Sequence, residues 1–169
     1  HKTTMSETMN VFNRNTVCHH RNRAAPELKD HDFLFAETGE RLCDRLDDIY
    51  RKFPVALDLG CRTGGLSRML AKRGGIEELI QCDLSLAMSE RAGAKALVAD
   101  EEFLPFAPES FDLVMSNLTL HWVNDLPGCL TQIRRTLKPD GLFLATMLGG
   151  ETLKELRQSL VKAEAAVDG

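Results

Sequence analysis

The chain has 169 residues, enough for one domain whose core needs no covalent staples. It is 43% hydrophobic and 27% charged, the balance of an ordinary globule, and 25 acids against 21 lysines and arginines leave a net charge of −4. That charge argues against a nucleic-acid-coating surface, which is normally basic, though a local basic patch stays compatible with it.

Five cysteines are present, Cys18, Cys43, Cys61, Cys82 and Cys129, with no C-x-x-C spacing. An odd number without paired spacing is not a disulfide framework or a zinc ribbon and points to a reducing compartment. No apolar run approaches the ~20 residues that span a bilayer. The opening His1-Lys2-Thr3-Thr4-Met5 has no apolar signal region, and Met5 and Met9 are both candidate starts.

Residues 1–25 are polar, with Val11 and Phe12 as apolar anchors. They read as a mobile leader or as a flap over a bound ligand. Cys18-His19-His20, with His31, has metal-ligand chemistry, but adjacent ligands without a second spaced pair do not make a metal template, and no metal is expected. Residues 26–169 read as a single domain. Pro26 opens a helical stretch to about Tyr50, in which Leu34, Phe35, Thr38, Leu42, Leu46 and Ile49 share one face. Pro54 closes the connection to a first strand, Val55–Leu59, which runs into the turn Gly60-Cys61-Arg62-Thr63-Gly64-Gly65.

From there the chain alternates. Strands are predicted at 79–83, 96–100, 111–116 and 142–147, and helices at 66–72, 85–92 and 125–137. The last of these helices is stopped by Lys138-Pro139-Asp140-Gly141. A final helix is predicted from about Glu151 to Val167. The strand runs are continuously apolar, as in parallel strands buried on both faces, so the fold class is a doubly wound α/β sheet.

Ligands of such sheets sit beyond the carboxyl ends of the strands. Asp58, Gly60 and Gly64 follow the first strand, and Asp83 follows the second, nineteen residues past Gly64. A carboxylate at that distance can receive both hydroxyls of a ribose. Asp100-Glu101 after the third strand can accept from an adenine amino group, and Ser116-Asn117 with His121-Trp122 follow the fourth. Each acid alone also reads as a helix cap or a loop residue; together at consecutive strand ends they describe one adenosine-binding site. The dinucleotide fingerprint G-x-G-x-x-G is absent, because Arg62 stands in the middle of the turn. Asp58 suits a cationic amino group better than phosphates. His121 is the candidate base for an acceptor that must lose a proton, or else a packing histidine beside Trp122.

Asp58-Leu-Gly-Cys-Arg-Thr-Gly64, Cys82-Asp-Leu-Ser85, Asp100-Glu-Glu-Phe-Leu-Pro-Phe106, Phe111-Asp-Leu-Val114 and Leu137-Lys-Pro-Asp-Gly141 together resemble the class I S-adenosylmethionine-dependent methyltransferases, in their order along the chain. The type 11 methyltransferase domain is the form they look like. Ala99-Asp-Glu-Glu-Phe-Leu-Pro-Phe106, Leu120-His-Trp-Val-Asn-Asp-Leu-Pro127 and Gly149-Gly-Glu-Thr-Leu-Lys-Glu-Leu-Arg157 are most similar to one branch. It holds the methyltransferase-like assembly factor of mitochondrial complex I and its bacterial relatives. The malonyl-acyl-carrier-protein methyltransferase of biotin synthesis is a more distant likeness.

The resemblance implies a Rossmann-like sheet of about five parallel strands in the order 3-2-1-4-5, with S-adenosylmethionine as methyl donor. It implies that Asp58, Gly60, Cys61 and Gly64 hold the methionine part and Asp83 the ribose, with Leu84 packed on the adenine. Asp100 and the backbone of Glu101 would meet the adenine amino group, and Ser116 and Asn117 would pass near the sulfonium. His121 would face the substrate opening as the catalytic candidate. Two departures stand out. The family's usual glycine at position 62 is Arg62, whose side chain either points away from the cofactor or fills part of its methionine pocket. The sixth and seventh strands of the family's sheet are missing, so the chain reads as a truncated domain. The expected activity is methyl transfer to an unidentified acceptor. The branch also implies alternatives: a protein-arginine hydroxylase, or a non-catalytic assembly factor for respiratory complex I. Location follows source: cytoplasm in a bacterium, mitochondrial matrix in a eukaryote.

Overall fold

A computed structural model describes residues 10–27, 33–93 and 95–149. Five parallel strands form one sheet: β1 (Val55–Leu59), β2 (Glu78–Asp83), β3 (Ala96–Val98), β4 (Phe111–Asn117) and β5 (Leu137–Thr146), in the order β3-β2-β1-β4-β5. This is the predicted doubly wound order, with the reversal between β1 and β4. The helices are α1 (Arg14–Ala24), α2 (Phe33–Asp47), α3 (Gly65–Met69), α4 (Leu86–Ala92) and α5 (Leu126–Thr136), and a 3₁₀ turn covers Leu120–Trp122.

The two-residue period of the strands sorts their apolar side chains into two cores. Leu57, Leu59 and Val114 pack with Cys129 and Ile133 of α5 on one face. Ala56, Leu113 and Met115 pack with Leu42, Leu46 and Leu66 of α2 and α3 on the other. Gly39 lets α2 lie close to its neighbours, since a Cβ there would stand 3.0 Å from the Met69 sulfur and 3.3 Å from the Asn117 amide nitrogen.

Element ends differ from expectation where tertiary contacts outweigh local pattern. Residues 14–24 carry no apolar periodicity, yet they form α1, capped by Asn13, whose side chain accepts from the Asn15 and Thr16 amides. Pro26 lies in the turn after α1 and does not open α2, which starts at Phe33. A proline just beyond a helix end is a common stop. β3 ends at Val98 because the chain turns back at Asp100, which bridges to Phe103. α5 stops at Thr136, one residue short of the predicted end, and β5 begins at once with Leu137, so the predicted stop Lys138-Pro139-Asp140-Gly141 lies within the strand. Its register on β4 then jumps from Phe111–Leu137 to Leu113–Leu142 across the Lys138–Gly141 irregularity. The helix predicted over 151–167 lies outside the described residues. No helix among them is long and apolar enough to cross a membrane.

Candidate nucleotide-binding site

The carboxyl ends of β1, β2 and β4 meet at one edge of the sheet, and the 60–65 turn crosses them. Gly60 (φ 78°) and Gly64 (φ 83°) hold left-handed backbone. A Cβ at Gly60 would collide with the Thr119 side chain, so only glycine fits this turn. The Gly60 and Cys61 amides both donate to the Cys82 carbonyl, at 2.8 and 2.9 Å, which folds the turn across the end of β2.

Asp58 comes from β1 and is 1% exposed, and neither carboxylate oxygen accepts a hydrogen bond from a described group. It borders a small cavity of about 30 Å³ shared with Gly60, Cys61, Arg62 and Asn117. Burial, reinforced by the charge of Asp83 and opposed by Arg62, pushes its carboxyl up to about 7. A buried carboxyl without a partner is costly, and a cation placed in that cavity would relieve the cost. The thiols of Cys61 and Cys82 beside it are held well above their ordinary range, mainly by burial, so neither is a thiolate nucleophile at neutral pH.

Asp83 is fully buried and its oxygens are engaged. Oδ1 accepts from the Ser85 amide (2.9 Å) and from Arg21 Nη1 (3.2 Å), and Oδ2 accepts from the Arg62 amide (3.0 Å). The helix-capping reading therefore holds in part, since Ser85 itself caps α4 by accepting from the Met88 amide at 3.1 Å. Arg21 also donates to Glu101 Oε1 at 2.6 Å. Seven residues earlier on the same face of α1, Arg14 Nη2 bonds Asp100 Oδ1 (2.6 Å) and pairs with Glu101 Oε2. Burial alone would lower the pKa of Arg21, but Glu101 and Asp83 outweigh it and raise that pKa. Burial likewise works against ionised Glu101, and Arg21 and Arg14 still hold its carboxyl below the ordinary range.

The helix α1 is thus fastened over the predicted ribose and adenine acids chiefly by Arg14 and Arg21, which sequence reasoning did not single out. Cys18 donates to the Leu84 carbonyl at 3.4 Å, and Asn22 Oδ1 accepts from Ser85 Oγ at 2.5 Å. Phe12 packs edge-on to Trp122, with ring centroids 5.5 Å apart. The available signal was the spacing of Arg14 and Arg21, two helical turns apart. Nothing in sequence tied them to acids more than sixty positions away.

Ser116 and Asn117 serve the frame. Ser116 Oγ donates to the Leu59 carbonyl at 3.0 Å. Asn117 donates to the Phe35 carbonyl (2.9 Å) and accepts from Thr38 (2.8 Å) and Thr146 (2.6 Å), so it ties β4 to α2 and β5. Asn117 also borders the small cavity; Ser116, Leu84, Asp100 and Glu101 border neither it nor the larger one. His121 is buried in the 3₁₀ turn, its ring 5.4 Å from that of Trp122, and both face a larger cavity of about 290 Å³ with Phe12, Val17 and Arg21.

Arg62 turns inward. Its guanidinium lies over the Phe35 ring, 3.7 Å from the centroid, and Nη2 donates to the Leu118 carbonyl at 2.9 Å. Arg62 and Phe35 line both cavities, so their stack stands between the Asp58 end and the His121 end of the cleft. Among the described residues no group of three or more His, Cys, Asp or Glu is placed to hold a metal; His31 lies outside them.

The family described as "Methyltransferase domain" matches residues 57–145. Arginine-hydroxylase NDUFAF5, mitochondrial, of Homo sapiens is 45% identical over 98% of this chain and 50% of its own length. A malonyl-[acyl-carrier protein] O-methyltransferase of Methylovorus is 38% identical over 80% of this chain and 50% of its own. Among solved structures, phosphoethanolamine N-methyltransferase 2 of Haemonchus contortus, in complex with S-adenosyl-L-methionine, superposes with a TM-score of 0.58. It is 27% identical over 72% of this chain and 32% of its own. The chain spans about half the length of the curated relatives it matches.

Proposed function

Because the chain belongs to the methyltransferase-domain family, we propose that it binds S-adenosylmethionine across the ends of β1, β2 and β4. We propose that it passes the methyl group to an acceptor held in the larger cavity. The observation that carries this is Asp58, a buried carboxylate with no described partner beside a small cavity, which fits the ammonium of the cofactor's amino-acid tail. When bound, the cofactor supplies a methyl group already activated by its sulfonium.

The rest falls to the chain. Asp58 anchors the tail by charge. Asp83 orients the ribose: three of its roughly four acceptor positions are filled, so two ribose hydroxyls require Arg21 to give up its bond there. Asp100 and the Glu101 backbone receive the adenine amino group, which requires Arg14 to give up its bonds to Asp100. Phe12, Trp122 and α1 exclude water above the cleft. His121 takes a proton at its imidazole if the acceptor must lose one. Cofactor binding is supported by relatives and structural neighbours of the same family, in particular by the S-adenosyl-L-methionine complex.

The 45% identity to a protein named arginine-hydroxylase favours a second reading, hydroxylation of a protein arginine on the same frame, with dioxygen as oxidant and an external two-electron reductant as co-reactants. That relative is named as mitochondrial, and on this likeness we assign the mitochondrial matrix for a eukaryotic source.

The two readings separate by mass spectrometry after incubation with S-adenosylmethionine and a lysate fraction of candidate acceptors. Stoichiometric S-adenosylhomocysteine with a methyl mass gain supports methyl transfer. A one-oxygen gain on arginine without S-adenosylhomocysteine contradicts it and supports the second reading.

A further inference from the structure

We propose that Arg62 sets the charge preference of this cleft, so that it favours the neutral thioether form of an S-adenosyl amino acid over the sulfonium form. The inference rests on the cofactor reading above and deepens it. Arg62 holds φ 50°, a left-handed conformation in which a non-glycine residue is strained, so a charged side chain sits here against local preference. The side chain is then pinned. Its guanidinium is stacked on Phe35, its Nη2 is bonded to the Leu118 carbonyl, and its amide is bonded to Asp83.

The position matters because Arg62 borders both cavities. The amino-acid tail belongs at Asp58, and the adenosine belongs at Asp83 and Asp100. The methyl-bearing sulfur has to lie between the tail at Asp58 and the acceptor in the larger cavity, and the Arg62–Phe35 stack stands between those two ends. A sulfonium there faces a pinned like charge in a cleft lined mainly by apolar groups. The groups that would otherwise favour it are already engaged: Arg62 covers the Phe35 face, which would offer a cation–π contact, and bonds the Leu118 carbonyl. The amino-acid tail meets Asp58 in both ligands, so that contact itself does not discriminate between them.

Calorimetric titration with S-adenosylmethionine and with S-adenosylhomocysteine tests this, since the two differ only in the methyl group and its charge. The ratio of their dissociation constants is internal to each protein, so it is insensitive to a fraction that fails to fold. The neutral variant Arg62→Gln lowers the wild-type ratio by roughly tenfold or more. Arg62→Lys keeps most of the ratio, and Arg62→Gly, which also relieves the backbone, behaves like Arg62→Gln. Ratios within twofold of wild type in both neutral variants, with S-adenosylhomocysteine still bound, overturn the proposal alone. No binding of S-adenosylhomocysteine by the wild-type chain overturns the cofactor reading and the proposal with it.

Discussion

Replacing Asp58 with asparagine should change how the stability of the fold depends on pH. The carboxyl titrates at about 7 in the folded chain against 3.8 when free. Because the folded value is raised, the folded state holds the proton across that window while the unfolded chain has lost it. Stability therefore falls as pH rises from about 4 to 7, and the cost is fully present above 7. At 1.36 kcal/mol for each pH unit the whole cost is about 4 kcal/mol, and about 2.5 kcal/mol of it appears between pH 5 and pH 8. Asparagine does not titrate, and any cost of its own buried amide is the same at every pH. The stability of Asp58→Asn relative to wild type should therefore rise by about 2.5 kcal/mol from pH 5 to pH 8. With an m-value of about 2 kcal/mol/M, that is a relative shift in urea midpoint of more than ~1 M. Taking the difference between the two proteins cancels other titrating groups, including Glu101. Parallel midpoint-against-pH curves for the two proteins would refute the reasoning.

Four more substitutions test the frame. Arg21→Met leaves Asp83 and Glu101 buried with fewer partners and should cost about 3–5 kcal/mol in urea unfolding; Arg21→Met with Glu101→Gln should cost less than the sum of the single changes. Acidification below the ordinary carboxylate range should remove the contribution of Glu101, whose folded value is depressed, and the Glu101→Gln variant should lack that loss. Gly60→Ala meets both a left-handed backbone and the Thr119 side chain and should lose more than ~2 kcal/mol by thermal melting. Ser85→Ala removes the cap at the Met88 amide and the bond to Asn22 and should cost about 1 kcal/mol, read from the urea midpoint.

The sheet was legible because its signals are local. Val55–Leu59 and Phe111–Asn117 are apolar runs beside turn residues, and burial on both faces demands just that pattern. Asp58 and Asp83 could be placed at the carboxyl ends of β1 and β2, where ligands of such sheets collect. A flap from residues 1–25 was one of two readings, but the way α1 is fastened over these acids was not legible. α1 is held by Arg14, Arg21, Cys18 and Asn22 through polar bonds to distant residues, and a helix fastened that way leaves no apolar stripe to read. Pro26 misled for a related reason, since proline marks either end of a helix, and here it follows α1. Arg62 posed a choice between two orientations. Sequence could not decide it, because the deciding partners are Phe35 from α2 and the Leu118 carbonyl after β4, far apart along the chain.

The central claim is that Asp58 receives the ammonium of an S-adenosyl amino acid, and proton release on binding tests it most directly. A cation seated at Asp58 forces its carboxyl to ionise, and at pH 6.5 a group titrating at about 7 is roughly three quarters protonated. Titration of the chain with S-adenosylhomocysteine at pH 6.5, in two buffers of different ionisation enthalpy, should therefore show release of roughly three quarters of a proton per ligand beyond that seen with Asp58→Asn. Equal proton release by wild type and Asp58→Asn, or equal affinity of the two for the ligand, would contradict the account.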